Sequence, residues 1–308
     1  MVILVTGGCG YIGSQLIREL PGKFENETIR IIDNMIREKY VSLWNLPKKC
    51  KYEFFEGDIT KEDDIRKAMR DVEIVFDLAG ITNAPLSFQR KELTMEVNVG
   101  GVQKILKECL NNGVKKYVYT SSASVYGPTT NEADENYECK PISPYGESKL
   151  LAEKEIQKTI DENGLNISIL RLGTVHGWSI GMRFDTVIDR FVFQSCIGLP
   201  MTIWEVNKNE KRPYLHVKDA SRALIYSSNN KIKGIFNVVS ENAKLMDVVE
   251  TIRNLIPNSS VIFTKKENLN QLSYTLSSYK FKKNGFKFNY KIKDGVREIA
   301  EKFEALMR

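Results

Sequence analysis

The stretch Val2-Ile3-Leu4-Val5-Thr6-Gly7-Gly8-Cys9-Gly10-Tyr11-Ile12-Gly13 decides the fold. Its apolar start reads as a buried strand, with no basic segment before it of the kind that opens a signal peptide. Three spaced glycines and a helix-like run to Leu20 follow. A strand that enters a helix through such glycines makes a phosphate cradle. Gly7 and Gly10 let the backbone turn and come close to a pyrophosphate, Gly13 lets the helix pack on the strand, and the N–H groups of Tyr11 and Ile12 lie at the helix start.

Outward from this stretch, short apolar segments alternate with helical ones. Strand-like runs span Thr28 to Asp33, Tyr52 to Gly57, Ile74 to Ala79, Lys116 to Ser121 and Ile167 to Arg171. Helical patterns occupy Lys61 to Met69, Leu93 to Asn112 and Pro144 to Asn163. This alternation predicts an α/β protein with a doubly wound parallel sheet. The runs around Val75 and Val118 are nearly all apolar or aromatic, as strands covered on both faces should be. After Gly173 the rhythm breaks. We expect loops and short strands from Trp178 to Lys211, a strand over Tyr214 to Val217 and a helix over Lys218 to Ser228. Beyond them we expect a strand over Ile235 to Val239, a helix near Met246 to Leu255 and a helical tail from Asp294. The predicted division is a sheet domain over 1–172, with returning segments near 212–240, and a smaller C-terminal substrate lobe over 173–308.

The chain has 308 residues, 42% of them hydrophobic and 27% charged, and none of its apolar runs has the roughly 20 residues that a membrane helix needs. The net charge of +6 is spread along the chain, which argues against a nucleic-acid surface but suits a substrate bearing phosphates. Five cysteines without paired spacing argue against a disulfide framework or a metal site and fit a reducing cytoplasm.

Asp33 closes the second strand twenty positions after Gly13, where a carboxylate can accept from ribose hydroxyls and repel a 2′-phosphate. NAD is therefore expected over NADP, although Arg37 stands close by. Asn34 and Asp58, which closes the third strand, are further candidates for the adenosine side. Tyr145 and Lys149 are four apart on a predicted helix and so share one face. A phenol with an ordinary pKa of about 10 needs a neighbouring cation to act as a base. Given one, it can take a hydroxyl proton while hydride leaves the same carbon. Ser122, at the carboxyl end of its strand, is placed to bridge substrate and Tyr145.

Taken together, the glycine loop, Asp58-Ile59, Leu78-Ala79-Gly80, Asn98-Val99, Ser121-Ser122-Ala123-Ser124-Val125-Tyr126-Gly127 and Tyr145-Gly146-Glu147-Ser148-Lys149 resemble the extended short-chain dehydrogenases that act as nucleotide-sugar epimerases and dehydratases. Arg212-Pro213-Tyr214-Leu215-His216-Val217-Lys218-Asp219 and Lys282-Lys283-Asn284-Gly285-Phe286 extend the likeness over nearly the whole chain. The resemblance implies a Rossmann domain and a C-terminal lobe that grips a nucleoside diphosphate sugar, UDP- or GDP-linked. It implies Ser122, Tyr145 and Lys149 as the catalytic triad. Cofactor contacts are implied at Ile59, Leu78, Ala79, Gly80 and Asn98, substrate contacts at Thr174, Arg183 and Arg212, and a homodimer built on the two long helices.

Departures narrow the chemistry. Ala123 and Ser124 stand where the dehydratases and decarboxylases of this family carry acids, so elimination of water is not expected. Thr174 replaces an asparagine common in 4-epimerases, His176 a common tyrosine, and Leu272 a common arginine. The expectation is oxidation at C4 of a nucleotide-activated sugar in surface-polysaccharide biosynthesis, by a 4-epimerase or a 4-dehydrogenase such as a GDP-heptose 4-dehydrogenase. The alternatives are a nucleotide-sugar reductase and a non-catalytic dinucleotide sensor.

Overall fold

A computed structural model describes residues 1–265 and 273–307. Its centre is a seven-stranded sheet of β1 (Val2–Thr6), β2 (Thr28–Asp33), β3 (Lys51–Glu56), β4 (Val72–Asp77), β5 (Lys116–Ser122), β6 (Ile167–Leu172) and β7 (Gly234–Val238). The order is β7-β6-β5-β4-β1-β2-β3, and every neighbouring pair is parallel. The chain runs outward in one direction from β1 to β3 and in the other from β4 to β7. The strand order therefore reverses between β1 and β4, and ligands of such sheets bind beyond the carboxyl ends at that crevice. This is the Rossmann arrangement expected from the alternation. Apolar side chains cover both faces, with Ile3, Val5, Phe76 and Val118 in one core and Leu4, Val75, Tyr117 and Tyr119 in the other.

Five helices position the crevice: α1 (Tyr11–Glu19), α2 (Glu62–Met69), α3 (Gly101–Asn111), α4 (Pro144–Asn163) and α5 (Val217–Ser227). Helix α4 begins with Ser143, whose Oγ accepts from the Gly146 N–H at 3.1 Å, and ends at Gly164 in the left-handed conformation. The helix expected over Leu93 to Asn112 is interrupted. A short helix at Lys91–Met95 passes through a wide turn at Glu96–Gly100 before α3 begins. The turn carries Asn98 into the interior, and Gly101 follows it in close contact with Ile59, where a Cβ would stand 2.6 Å from Ile59 Cδ1.

The segment after Gly173 is more regular than expected. Within the predicted loop lie a helix at Val187–Cys196 and a strand at Met201–Trp204. The strand expected from Tyr214 runs Lys211–His216, between short strands at Thr174–His176 and Glu241–Lys244. These elements surround a third core with Val192, Tyr214, Val249 and Val296. Tyr11 joins this core from the start of α1 and ties the lobe to the glycine loop. All five cysteines are free thiols, and no helix among the described residues is long and apolar enough to cross a membrane.

The glycines differ in what they tolerate. A Cβ on Gly13 would lie 2.3 Å from the Gly7 carbonyl oxygen and 2.7 Å from Gly8 Cα, all rigid backbone, whereas one on Gly22 meets nothing within 4 Å. We expect Gly13→Ala to cost at least about 1–3 kcal/mol, the range for overpacked cores. Gly22→Ala should change stability little. Urea midpoints of the two variants check this, and equal midpoints would contradict it.

Candidate active site

The glycine loop closes the crevice on one side. Gly7 has φ +63° and packs against the β4 end so tightly that a Cβ would sit 2.9 Å from Ala79 N and Cα. Thr6 Oγ accepts from the N–H groups of Leu78 and Ala79, at 3.0 Å each, which locks β1 to the Leu78-Ala79-Gly80 turn. The Gly10 N–H donates to the Gly7 carbonyl at 3.1 Å, so the loop is a closed turn. At the start of α1 the N–H groups of Tyr11, Ile12 and Gly13 have no carbonyl one turn earlier in the helix to accept from them. A pyrophosphate fits this donor set.

Asp33 ends β2 beside the loop. Its Oδ2 accepts from the Cys9 N–H at 3.0 Å and its Oδ1 from the Met35 N–H at 3.0 Å. Burial pushes its pKa up, and these two bonds pull it back. Each oxygen keeps a second lone pair for a ribose hydroxyl. A carboxylate with free lone pairs next to a phosphate cradle fits the needs of NAD. Asp58 is engaged differently. Its Oδ1 accepts from the Thr60 N–H and hydroxyl at 2.8 Å each, and its Oδ2 from the Asn34 amide at 3.4 Å. Asp58 and Asn34 therefore brace the rim, and Ile59 points into the core.

Two side chains of this region are taken up by the fold. The Tyr11 phenol is buried in the C-terminal lobe and donates to the Gly177 carbonyl, leaving its backbone N–H on the phosphate side. Asn98 is buried, and its amide is spent on the Ile81 N–H (2.8 Å), the Ile81 carbonyl (2.9 Å) and Ser148 Oγ (2.9 Å). Both amide donors are consumed, so Asn98 fixes the turn after β4 to α4. The turn needs Gly80, since a Cβ there would meet Asn98 Oδ1 at 2.8 Å and lie 3.7 Å from Lys149 Nζ.

Tyr145 and Lys149 lie one turn apart on α4 and are 8% and 3% exposed. Burial raises the Tyr145 pKa, while a hydrogen bond with Ser122 and the charge of Arg183 lower it. Lys149 Nζ donates to the Thr120 carbonyl at 2.9 Å and to the Tyr119 hydroxyl at 3.2 Å. Burial brings its pKa down to about 8, against the upward pull of Asp77 and Glu153. One turn further on, Glu153 forms a buried pair with Arg171 at 2.7 Å and accepts from Ser121 Oγ, so α4 is clamped to β5 and β6.

The C-terminal lobe brings its candidates to the same opening. Arg183 donates to Thr82 Oγ in the loop after β4, pairs with Asp185 at 3.1 Å and lies near enough to Tyr145 to favour its ionised form. Arg212 lies over the Tyr274 ring at 5.9 Å and 3.3 Å from Glu210. Thr174 is half-buried and pairs with Tyr214 in the small sheet. His176 is fully buried against His216, and burial and that neighbour hold its pKa well below the usual value. Leu272 lies outside the described residues. Sequence reasoning passed over Asp77, Tyr119 and Asp189. The signal for Asp77 was available, as a lone charge in the apolar run Ile74-Val75-Phe76-Asp77-Leu78.

Asp189, on the helix at Val187–Cys196, accepts from the Gly177 N–H at 3.1 Å and from Thr186 Oγ at 2.8 Å. Burial raises its pKa from 3.8 to about 7. The folded chain therefore takes up a proton at Asp189 between those values, and its contribution to stability is full below the lower one and lost as pH rises through the upper. We expect the urea midpoint of Asp189→Asn to fall less than that of the parent between about pH 4.5 and 7.5. Parallel profiles would contradict this.

Residues 3–238 match the family model described as the NAD dependent epimerase/dehydratase family. An uncharacterized protein of Sinorhizobium fredii is 31% identical over 240 residues, which cover 76% of this chain and 55% of that relative, so the chain spans about half its length. Among solved structures, a Thermus thermophilus UDP-glucose 4-epimerase in complex with NAD superposes with TM-score 0.85 at 25% identity, covering 99% of each chain. A UDP-N-acetylglucosamine 4-epimerase from Methanobrevibacter ruminantium in complex with UDP-N-acetylmuramic acid gives 0.89 at 25% identity, covering 99% of this chain and 98% of that one.

Proposed function

The chain belongs to the NAD dependent epimerase/dehydratase family, and on that premise we propose that it is a 4-epimerase of a UDP-linked sugar. NAD is its cofactor. When bound, NAD supplies the acceptor, and on return the donor, of the hydride at the sugar carbon.

The observation that carries the reading is the setting of Tyr145, buried at the crevice beside Ser122 with Arg183 across from it. In the proposed reaction the Tyr145 phenolate takes the proton of the C4 hydroxyl as C4 is oxidised to a ketone, and gives it back when the ketone is reduced on its other face. Ser122 holds the reacting oxygen. Lys149, held by the Thr120 carbonyl and the Tyr119 hydroxyl, would favour the phenolate by its charge and donate to the cofactor ribose. Arg183 and Arg212, from the other lobe, hold the sugar and the diphosphate. No acid follows Ser122, since Ala123 and Ser124 stand there, so nothing on that loop serves a further elimination.

Return of the hydride to the same sugar requires a cofactor that stays in place. The contacts across the glycine loop support that. Gly181 donates to Ser14 Oγ at 3.0 Å, Lys39 reaches the Gly181 and Met182 carbonyls, and Ser42 Oγ bonds the Cys9 carbonyl at 2.8 Å. The loop is thus strapped from both sides. The 4-epimerase structures above support the C4 position and the UDP group. Exposed Leu93, Leu110 and Leu151, on the helix at Lys91–Met95, on α3 and on α4, fit a second copy of the chain.

Incubating the purified protein with UDP-hexoses and UDP-N-acetylhexosamines, and following product mass and configuration, tests this. The expected product has unchanged mass and inverted C4. Loss of two mass units with build-up of reduced cofactor would mean a 4-dehydrogenase instead. Tyr145→Phe should retain bound NAD and lose about 10² to 10⁴ in kcat, as removal of a general base does. Full activity in that variant would remove Tyr145 from the chemistry.

A further inference from the structure

The reading of Tyr145 and Lys149 leaves one group unexplained. Asp77, the last residue of β4, is fully buried, and a carboxylate in such a place is costly unless something charged faces it. Its oxygens accept from Thr6 Oγ at 2.5 Å and Tyr117 OH at 2.5 Å, both neutral donors. The strand register places Thr6 and Tyr119 directly beside it on β1 and β5. Tyr117 and Tyr119 are two apart on β5, and their rings stack at 6.4 Å on the face beneath α4. Lys149 enters from α4 above them, with its ammonium 4.7 Å from the Tyr119 ring centre and bonded to the Tyr119 hydroxyl at 3.2 Å.

We propose that Asp77 is the buried counter-charge, and Tyr119 the hydroxyl acceptor, that keep Lys149 an ammonium while Tyr145 exchanges its proton. Both are positioning residues of the hydride-transfer site. The inference rests on the function proposed above.

The other groups around Lys149 leave Asp77 this role. Glu153 also faces Lys149 from α4, but it is bonded to Arg171 and Ser121. Asn98 is neutral and committed to Ile81 and Ser148. Cys109 and Tyr145 are neutral when protonated, and Cys109 is held so by burial. Asp77 is left near the ammonium, with two hydroxyls and the Ala79 N–H to help it. Burial pushes the Asp77 pKa up, and Thr6, Tyr117 and the charge of Lys149 pull it back.

The roles follow from charge alone. Lys149 is pushed toward its neutral amine by burial, and a neutral amine neither favours the Tyr145 phenolate nor donates strongly to a ribose. A carboxylate behind it raises the pH at which that proton is lost. Tyr119 gives the ammonium a fixed acceptor on the side away from substrate.

The test is the pH profile of kcat/KM for the holoenzyme on the nucleotide sugar it turns over, with parent, Asp77→Asn, Tyr119→Phe and Tyr145→Phe side by side. In Asp77→Asn the alkaline limb should move down by about one pH unit, the shift expected when an opposite charge nearby is removed. Tyr119→Phe should move the same limb by less. A uniform loss of rate with both limbs unmoved would show a packing role and overturn the proposal. Where Asp77→Asn does not fold, Tyr119→Phe decides in the same way: a lowered limb supports the proposal and an unmoved one overturns it. Tyr145→Phe separates the two levels, because parent-like turnover there defeats the functional reading itself. An inactive Tyr145→Phe with unshifted Asp77→Asn and Tyr119→Phe profiles defeats only the counter-charge.

Discussion

An ammonium has been taken out of water at the carboxyl ends of β4 and β5, and the rest of the site is arranged around that cost. Lys149 is 3% exposed, so its proton is poorly supported by solvent. The Thr120 carbonyl, the Tyr119 hydroxyl and the Asp77 carboxylate offset the lost hydration from below. Asn98 and Ser148 hold the turn that covers it, and Gly80 gives that turn room. The same burial that endangers the charge on Lys149 keeps Tyr145 dry, so that a small number of neighbours decides which of the two carries a proton.

The C-terminal lobe completes the crevice through a few contacts on the glycine loop. Tyr11 and Ser14, on the first turn of α1, reach Gly177, Ser179 and Gly181. Gly181 packs so closely on Gly10 that a Cβ would stand 2.6 Å from its carbonyl oxygen. The glycine loop and the C-terminal elements are therefore one unit at this point, and Arg183, two residues on, is carried near Tyr145. Asp189 holds the Gly177 turn from behind.

Much of this was legible in the sequence, and the failures have physical causes. The parallel sheet announced itself because strands covered on both faces must be apolar throughout, and the glycine loop because no other residue fits at Gly7 or Gly13. That Tyr145 and Lys149 share a buried face of α4 followed from their four-residue spacing. The wide turn at Glu96–Gly100 did not, since the register of Leu93 to Asn112 still looks helical and the turn arises from a distant partner, the Ile81 backbone. The helix at Val187–Cys196 spans only ten residues, with Asp189, Arg190, Gln194 and Ser195 among its apolar ones, so its periodic pattern is much shorter than that of α4. Asn98 entered as a contact that the resemblance implies, and its amide bonds to Ile81 and Ser148 depend on a turn far away in sequence, which no local pattern announces. Asp77 stood out as a lone charge in an apolar strand, but its partners Thr6, Tyr117 and Lys149 come from other elements that the strand pattern does not name.

The central claim is that hydride leaves and returns at C4 of a UDP-linked sugar under the control of Tyr145. The most direct measurement is the rate with UDP-hexose carrying deuterium at C4, compared with the same sugar deuterated at C5. The account predicts slower turnover with the C4 label alone. Equal rates for both, or slowing with the C5 label only, would contradict it.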